Sequence, residues 1–372
     1  MKRILIFHIS EVSGHRKAAE AIKESLEYLS RETLQITNID GLRYFHPFAH
    51  RIINRMYIGV IRKTPFVWRA IYDKPSVEKV LMPIKKAIHS NKMRSMHQLY
   101  EELQPDAIIC TQAFPCGIVA EFKKEYSLKV PLIGVVTDFH PHRYWVYDQV
   151  DYYTVATPDA CATLRSLGVA DEKIKMFGIP ISLTFSQFNH DKAYIAGKYG
   201  FDLGVPSVLI MGGGSGLGPI GKIVQQLDRL SQSFQIIVVC GKNQQVFDTL
   251  SDMQSRLRKK MFLFGYVDCI NELMSFSDIL VTKPGGITIA EALTLQLAVV
   301  IINPIPGQEE NNTEVLLREG IAVKADRLEQ VPSLVARLID DPGERERLQQ
   351  QGMKLSKPDA ALRVAEIVLH AS

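Results

Sequence analysis

The stretch Met211-Gly212-Gly213-Gly214-Ser215-Gly216-Leu217-Gly218 constrains this chain most, because it directly follows an apolar run, Ser207–Met211, that reads as a buried strand. Glycines in that position let backbone N–H groups approach an anion without Cβ obstruction, and the helix that follows presents its positive end. The amino-terminal half opens in a similar way. Lys2–Ile9 contains the apolar run Ile4-Leu5-Ile6-Phe7, and after a short loop Ala18, Ala19, Ile22, Leu26 and Leu29 recur at helical spacing. Further apolar runs follow in each half: 107–110, 132–137 and 152–156, then 235–240, 261–264, 279–282 and 298–302. Helical stretches separate them, which is the strand–helix alternation of a parallel sheet. With 372 residues, the chain exceeds what one hydrophobic core usually organises. The expectation is α/β, with two Rossmann-like domains facing each other across a cleft. Phe177-Gly178-Ile179-Pro180 and the polar stretch to about Gly200 read as the linker.

Several classes are excluded early. Hydrophobic residues at 46% and charged residues at 23% are ordinary for a globular chain and rule out disorder and collagen-like repeats. No apolar run approaches the ~18 residues of a membrane span. Lys2-Arg3 precedes only four apolar residues, too few for a signal segment. The five cysteines (110, 116, 161, 240 and 269) form no Cys-x-x-Cys pair, so a reducing cytoplasm is expected. Gly216, Gly218 and Gly221 formally fit G-x-G-x-x-G, but Pro219 interrupts it. The next strand ends in Cys240-Gly241, where a dinucleotide site needs an acid, so NAD is not expected. Gly213-Gly214-Ser215-Gly216-Leu217 lacks the closing glycine of a serine-hydrolase elbow.

A net charge of +4 conceals an asymmetry. Between Arg43 and Arg94 lie twelve Lys or Arg and two acids, interleaved with eight aromatic or methionine side chains from Tyr44 to Tyr72. Such a segment suits an anionic lipid surface, where four to six bases facing one way would supply ~4–6 kcal/mol. The competing reading is a solvated basic face on helices packed by their own aromatics. Nucleic acid is not expected as a partner, since no recognition motif accompanies the charge.

The constellation Thr282-Lys283-Pro284-Gly285-Gly286-Ile287-Thr288 also follows a strand, with Thr288 onward reading as a helix. Gly285 and Gly286 leave that helix end open to a diphosphate. Glu291, one turn inside, would repel phosphate but could accept from two ribose hydroxyls. A loop end at Pro304–Asn312 is rich in amides and carboxylates suited to sugar hydroxyls, the competing reading being a plain polar surface loop.

Together these residues resemble the glycosyldiacylglycerol synthases, the family of processive diacylglycerol glucosyltransferase and monogalactosyldiacylglycerol synthase. The resemblance is carried by Gly14-His15, Val136-Thr137-Asp138-Phe139 with Trp145, Phe177-Gly178-Ile179-Pro180, Val239-Cys240-Gly241-Lys242-Asn243, Gly265-Tyr266-Val267, Thr282–Thr288 and Pro306-Gly307-Gln308-Glu309. It implies a GT-B fold. Residues 1–180 would be an acceptor and membrane-binding domain, and 181–372 a UDP-sugar-binding domain whose last helix returns to the first. It implies that Tyr266 and Val267 line the uracil and Glu291 takes the ribose. Gly214, Ser215, Gly286, Ile287 and Thr288 would face the diphosphate, Gln308 and Glu309 would hold the hexose, and Lys283 and Gly285 would belong to the same UDP-sugar-binding set. Gly14, Asp138 and His142 would sit on the acceptor side. The first loop, Ser10-Glu11-Val12-Ser13-Gly14-His15, carries fewer glycines than the family usually has.

The expected activity is inverting transfer of a hexose from a UDP-sugar to the free hydroxyl of diacylglycerol. It would take place at the inner face of the cell membrane, peripherally, through residues 43–94. No Asp-x-Asp occurs, so no metal or other cofactor is expected, and helix dipoles with backbone N–H groups would stabilise the leaving UDP. His15, near a helix start where the dipole disfavours imidazolium, is the expected general base. Asp138-Phe139-His140-Pro141-His142 offers three metal-ligating side chains but no fourth. Two alternatives remain: UDP-N-acetylglucosamine transfer to a lipid-linked peptidoglycan precursor, and a UDP-sugar- or membrane-binding protein without turnover.

Overall fold

In the computed structural model, the described residues are 1–9, 13–30, 33–45, 82–187, 191–305 and 307–371, with backbone alone described for 82–91. The chain divides into two compact units, Met1–Leu183 with Pro306–Gln308 and Lys357–Ser372, and Thr184–Ile305 with Glu309–Ser356. Most of the basic aromatic window at 43–94 lies outside the described residues. At its edges, Phe45 packs on Phe7 with ring centroids 5.7 Å apart, and Lys92 lies 5.0 Å over the Phe114 ring.

The first unit contains β1 (Lys2–His8), α1 (Gly14–Leu29), β2 (Leu34–Asp40), α2 (Gly41–Phe45), α3 (Met82–Leu103), β3 (Ala107–Cys110), α4 (Ala113–Glu125), β4 (Leu132–Val135), β5 (Tyr152–Thr154), α5 (Pro158–Ser166) and β6 (Ile174–Lys175). The strands form one sheet in the order β2-β1-β3-β4-β5-β6, every pairing parallel. Strands β3 and β4 are buried at every position, as expected of parallel strands covered on both faces. Strand β2, Leu-Gln-Ile-Thr-Asn-Ile-Asp, has no fully buried residue and forms the sheet edge, so no continuous apolar run announces it in the sequence.

The second unit contains α6 (Thr184–Gln187), α7 (Lys192–Tyr199), β7 (Ser207–Met211), α8 (Ile220–Leu227), β8 (Gln235–Val239), α9 (Gln244–Gln254), β9 (Met261–Phe264), α10 (Ile270–Phe276), β10 (Ile279–Thr282), α11 (Gly286–Thr294), β11 (Ala298–Ile302), α12 (Gln308–Arg318), β12 (Ala322–Ala325), α13 (Val331–Asp340) and α14 (Pro342–Leu355). The residue Gln308 that opens α12 clusters with the first unit. The sheet order is β12-β11-β10-β7-β8-β9, again parallel throughout. The final helix, α15 (Ala360–His370), returns to the first unit. Its Val364, Ala365 and Val368 share one core with Ile4, Ile6, Ala19, Ile22 and Leu26. Lys2 Nζ donates to the carbonyls of Val368, Leu369 and Ala371 at 3.0, 2.8 and 3.0 Å, satisfying acceptors that a helix end leaves open.

One expectation about the chain's organisation is corrected. The polar stretch before Gly200 is no plain linker, because α7 is a folded part of the second unit. Asp191 caps its start by accepting from Ala193 N and Tyr194 N, and Gly200 closes it at φ 74°. Lys198 and Tyr199 both donate to the Glu272 carboxylate on α10 at 2.7 Å. Tyr199 also stacks on Phe201, whose ring meets Phe262 and Phe276. Only Ile195 and Ala196 are buried in α7, too few to show a helical period in the sequence.

In both sheets the strand order reverses beside the first strand of the unit, between β1 and β3 and between β7 and β10. Open α/β sheets bind ligands beyond the carboxyl ends of the strands at such reversals. The loops after β1 and β3, and after β7 and β10, therefore border the expected binding positions.

Candidate active site

At the first unit's reversal, His15 sits in the opening turn of α1. Ser13 forms the N-cap, its hydroxyl donating to Ile9 O and accepting from Arg16 N at 3.4 Å. The loop after β3 holds the histidine from the other side. Thr111 Oγ1 donates to His15 O at 2.9 Å and lies 3.2 Å from Phe7 O. His15 Nδ1 lies 2.9 Å from Thr111 O and 2.8 Å from Thr137 Oγ1. A carbonyl oxygen only accepts, so Nδ1 carries the proton and Nε2 holds the lone pair. Burial pushes the His15 imidazole down to about 4, against a partial rise from the bond to Thr111, with His8 lowering it further.

His142 is also pushed down to about 4, first by burial and then by His15 and His140. Its segment is held by Tyr153, whose hydroxyl donates to Trp145 O at 2.9 Å and accepts from Tyr147 N at 2.9 Å. Asp138 accepts from Gln308 Nε2 at 3.0 Å, within the first unit's residues. Among the described residues no three His, Cys, Asp or Glu side chains are grouped to hold a metal ion.

These two histidines give the first unit an acid limit. Each titrates near 6.5 when unfolded and about 4 when folded, so the unfolded chain binds more protons between those values. Stability is therefore complete above pH 6.5, falls as pH drops toward 4, and falls no further from this source below it. The loss is on the order of 3 kcal/mol per histidine. Thermal melts between pH 7.5 and 4 check this, and a His142→Asn variant should show a shallower decline.

At the second unit's reversal, the loop between β7 and α8 folds onto the end of β8. Lys242 N donates to Gly214 O at 3.0 Å and Asn243 Nδ2 donates to Gly216 O at 2.9 Å. Two of its glycines are required by close backbone approach. A Cβ at Gly212 would lie 2.0 Å from Leu217 O, and one at Gly216, where φ is +56°, would lie 1.9 Å from Cys240 O. The loop's tip, Gly214, remains exposed, with Ser215 half-buried beside it.

After β10, helix α11 begins at Gly286, two residues earlier than the sequence suggests. Gly285 occupies the N-cap with extended backbone and no side chain, so no side-chain oxygen caps the first turn. The N–H groups of Gly286, Ile287 and Thr288 thus belong to a turn that lacks intrahelical acceptors. Glu291 is buried one turn further on. The preceding loop is tied to α12 by Asn312 Nδ2, which donates to Pro284 O at 3.0 Å, and by Lys283 Nζ, which donates to Glu309 Oε1 at 2.9 Å. The other Glu309 oxygen accepts from Ile305 N at 2.7 Å. A sugar hydroxyl at Glu309 would have to share a carboxylate that already takes one bond on each oxygen. Tyr266 is exposed, with Lys242 Nζ 5.5 Å from its ring centroid.

Two family models match the chain: monogalactosyldiacylglycerol synthase over residues 15–181 and the glycosyltransferase family 28 C-terminal domain over 207–364. A protein of Bacillus licheniformis named processive diacylglycerol beta-glucosyltransferase is 30% identical over 91% of this chain and 87% of its own. Its namesake in Bacillus pumilus is 30% identical over 100% of this chain and 95% of its own. The chain belongs to the glycosyldiacylglycerol synthase family. Its fold is GT-B, as solved structures at low identity also show. MurG of Acinetobacter baumannii matches with TM-score 0.64 at 15% identity, over 99% of both chains. Anabaena HepE in complex with UDP-glucose matches with TM-score 0.57 at 13% identity, over 100% of both.

Within this family member the sequence brings out His15, the two glycine loops and Glu291. It does not reveal Thr111 and Thr137 beside the imidazole, which lie 96 and 122 residues along the chain from it. Nor does it reveal Lys242 over Tyr266. Only the βα topology, which places all strand-end loops on one edge, could have paired them.

Proposed function

We propose that this glycosyldiacylglycerol synthase transfers a hexose from a UDP-sugar to the free hydroxyl of diacylglycerol, inverting the anomeric configuration. The observation that carries the reading is full-length similarity to proteins named for β-glucosyl transfer to diacylglycerol. The geometry supplies a chemistry for it. His15 Nε2 takes the acceptor proton while the acceptor oxygen bonds the anomeric carbon, and the bond from that carbon to the diphosphate breaks with its electron pair leaving on UDP. The first-turn N–H groups of α11 and the positive end of its dipole neutralise the charge that develops there. Removing one such donor typically costs ~3–4 kcal/mol of transition-state stabilisation. Gly214, Ser215 and Lys283 adjoin the diphosphate, Glu291 accepts from the ribose hydroxyls, and Tyr266 and Val267 line the uracil. Gln308 and Glu309 hold the hexose, while Gly14, Asp138 and His142 border the acceptor.

The acceptor is a membrane lipid, so the enzyme acts as a peripheral protein of the cytoplasmic face, drawn there by the basic aromatic residues of 43–94. Among the described residues, no helix is long and apolar enough to cross a membrane. The test uses UDP-glucose and UDP-galactose in turn, with dioleoylglycerol in phosphatidylglycerol vesicles, and mass analysis of the lipids. Acceptor-dependent UDP release with hexosyl-diacylglycerol as product is expected. Product formed only with a polyprenyl-diphosphate sugar, or none with either, overturns the reading.

A further inference from the structure

Thr137 lies just beyond β4, directly after Val135 and Val136, and is 4% exposed. Its hydroxyl is 2.8 Å from His15 Nδ1. The Nδ1 proton faces two oxygens from two different strand ends, Thr111 O after β3 and Thr137 Oγ1 after β4. One acceptor alone fixes the tautomer. Two acceptors from separate strands fix the ring plane as well, and hence the direction of the Nε2 lone pair. When Nε2 gains a proton the ring becomes cationic, and hydrogen bonds from its Nδ1–H become charge-assisted and stronger.

We infer that Thr137 is a positioning residue for glycosyl transfer, its hydroxyl accepting from His15 Nδ1 and stabilising the imidazolium as the acceptor's proton arrives on Nε2. The inference rests on the reading of His15 as the base. Its role resembles that of the oxygen partners that orient histidines elsewhere, with a neutral hydroxyl in place of a carboxylate. The hydroxyl adds polarity at the right atom without adding a charge that would hold the resting imidazole protonated.

The test combines Thr137→Val, Thr137→Ser and His15→Ala in one series, with each variant's melting temperature recorded. Thr137→Val keeps the shape and removes the hydroxyl. It should lower kcat about tenfold and leave KM for the UDP-sugar within about twofold, as a loss confined to the transition state requires. Thr137→Ser should restore kcat to within about threefold of wild type. In the His15→Ala background, Thr137→Val should cost nothing more, because its partner is gone. If Thr137→Val fails to fold, Thr137→Ala against Thr137→Ser makes the same comparison. A Thr137→Val enzyme with wild-type kcat overturns the inference, as does an equal further loss in the His15→Ala background. If His15→Ala itself retains full turnover, the base assignment fails first, which separates the two failures.

Discussion

His15→Ala should lose turnover by about 10²–10⁴-fold, the range a positioned general base contributes, with UDP affinity unchanged by calorimetry. The expectation follows from three features of the first unit. Nδ1 is engaged by Thr111 O and Thr137 Oγ1, which leaves Nε2 as the basic nitrogen. The ring is held neutral by burial, pushed down to about 4, so no proton need be shed before reaction at physiological pH. The histidine also sits in the first turn of α1, where the helix dipole opposes imidazolium. His15→Ala removes the lone pair and leaves the second unit's loops intact, so donor binding should survive. The acid limb of kcat/KM should lie near pH 4, well below an exposed histidine's 6.5, with activity lost as pH falls through it. A His15→Ala enzyme within fivefold of wild-type kcat would refute the assignment, and Asp138 would be the next residue to replace.

The second large effect concerns the loop after β7. Gly216→Ala should destabilise the second unit by more than about 4 kcal/mol, a range reached by few single substitutions. Two costs combine at this position. Its φ of +56° is unfavourable for alanine by about 1–2 kcal/mol. The added Cβ would also fall 1.9 Å from Cys240 O, a backbone atom that cannot rotate away. The loop must then lift off the end of β8, breaking the bonds from Lys242 N and Asn243 Nδ2. Gly213→Ala is the control in the same loop. It has φ +69° but nothing within 4 Å of the new Cβ, so only the backbone cost of about 1–2 kcal/mol applies. Denaturant unfolding should rank the pair clearly, and UDP affinity should fall at least tenfold for Gly216→Ala but little for Gly213→Ala. Equal effects would mean that backbone conformation, not the approach to Cys240, governs the loop.

The parallel architecture was readable because strands covered on both faces must be apolar at nearly every position, as in Ile4-Leu5-Ile6-Phe7 and Ile236-Ile237-Val238-Val239. Strand β2 escaped because an edge strand has no such need, and β6 because two residues carry no pattern. Helix α7 escaped because its anchoring comes from polar and aromatic contacts, Lys198 and Tyr199 with Glu272, instead of an apolar stripe. The early start of α11 was hidden by the poor helix propensity of glycine, and only the fold shows Gly286 as its first residue. The site divides in the same way. Residues in a strand–loop–helix stretch with a local pattern, such as Gly14-His15 at the start of α1 and the glycines after β7 and β10, announce themselves locally. Thr111 and Thr137 come together only through strand order, and the pairing of Lys283 with Glu309 depends on where α12 begins beside the loop after β10.

The most direct test of where the donor is held is a crystal structure with UDP bound. The diphosphate should rest on the N–H groups of Gly286, Ile287 and Thr288, with both ribose hydroxyls on the Glu291 carboxylate and the uracil beside Tyr266 and Val267. A nucleotide seated away from the first turn of α11, with Glu291 untouched, would contradict it.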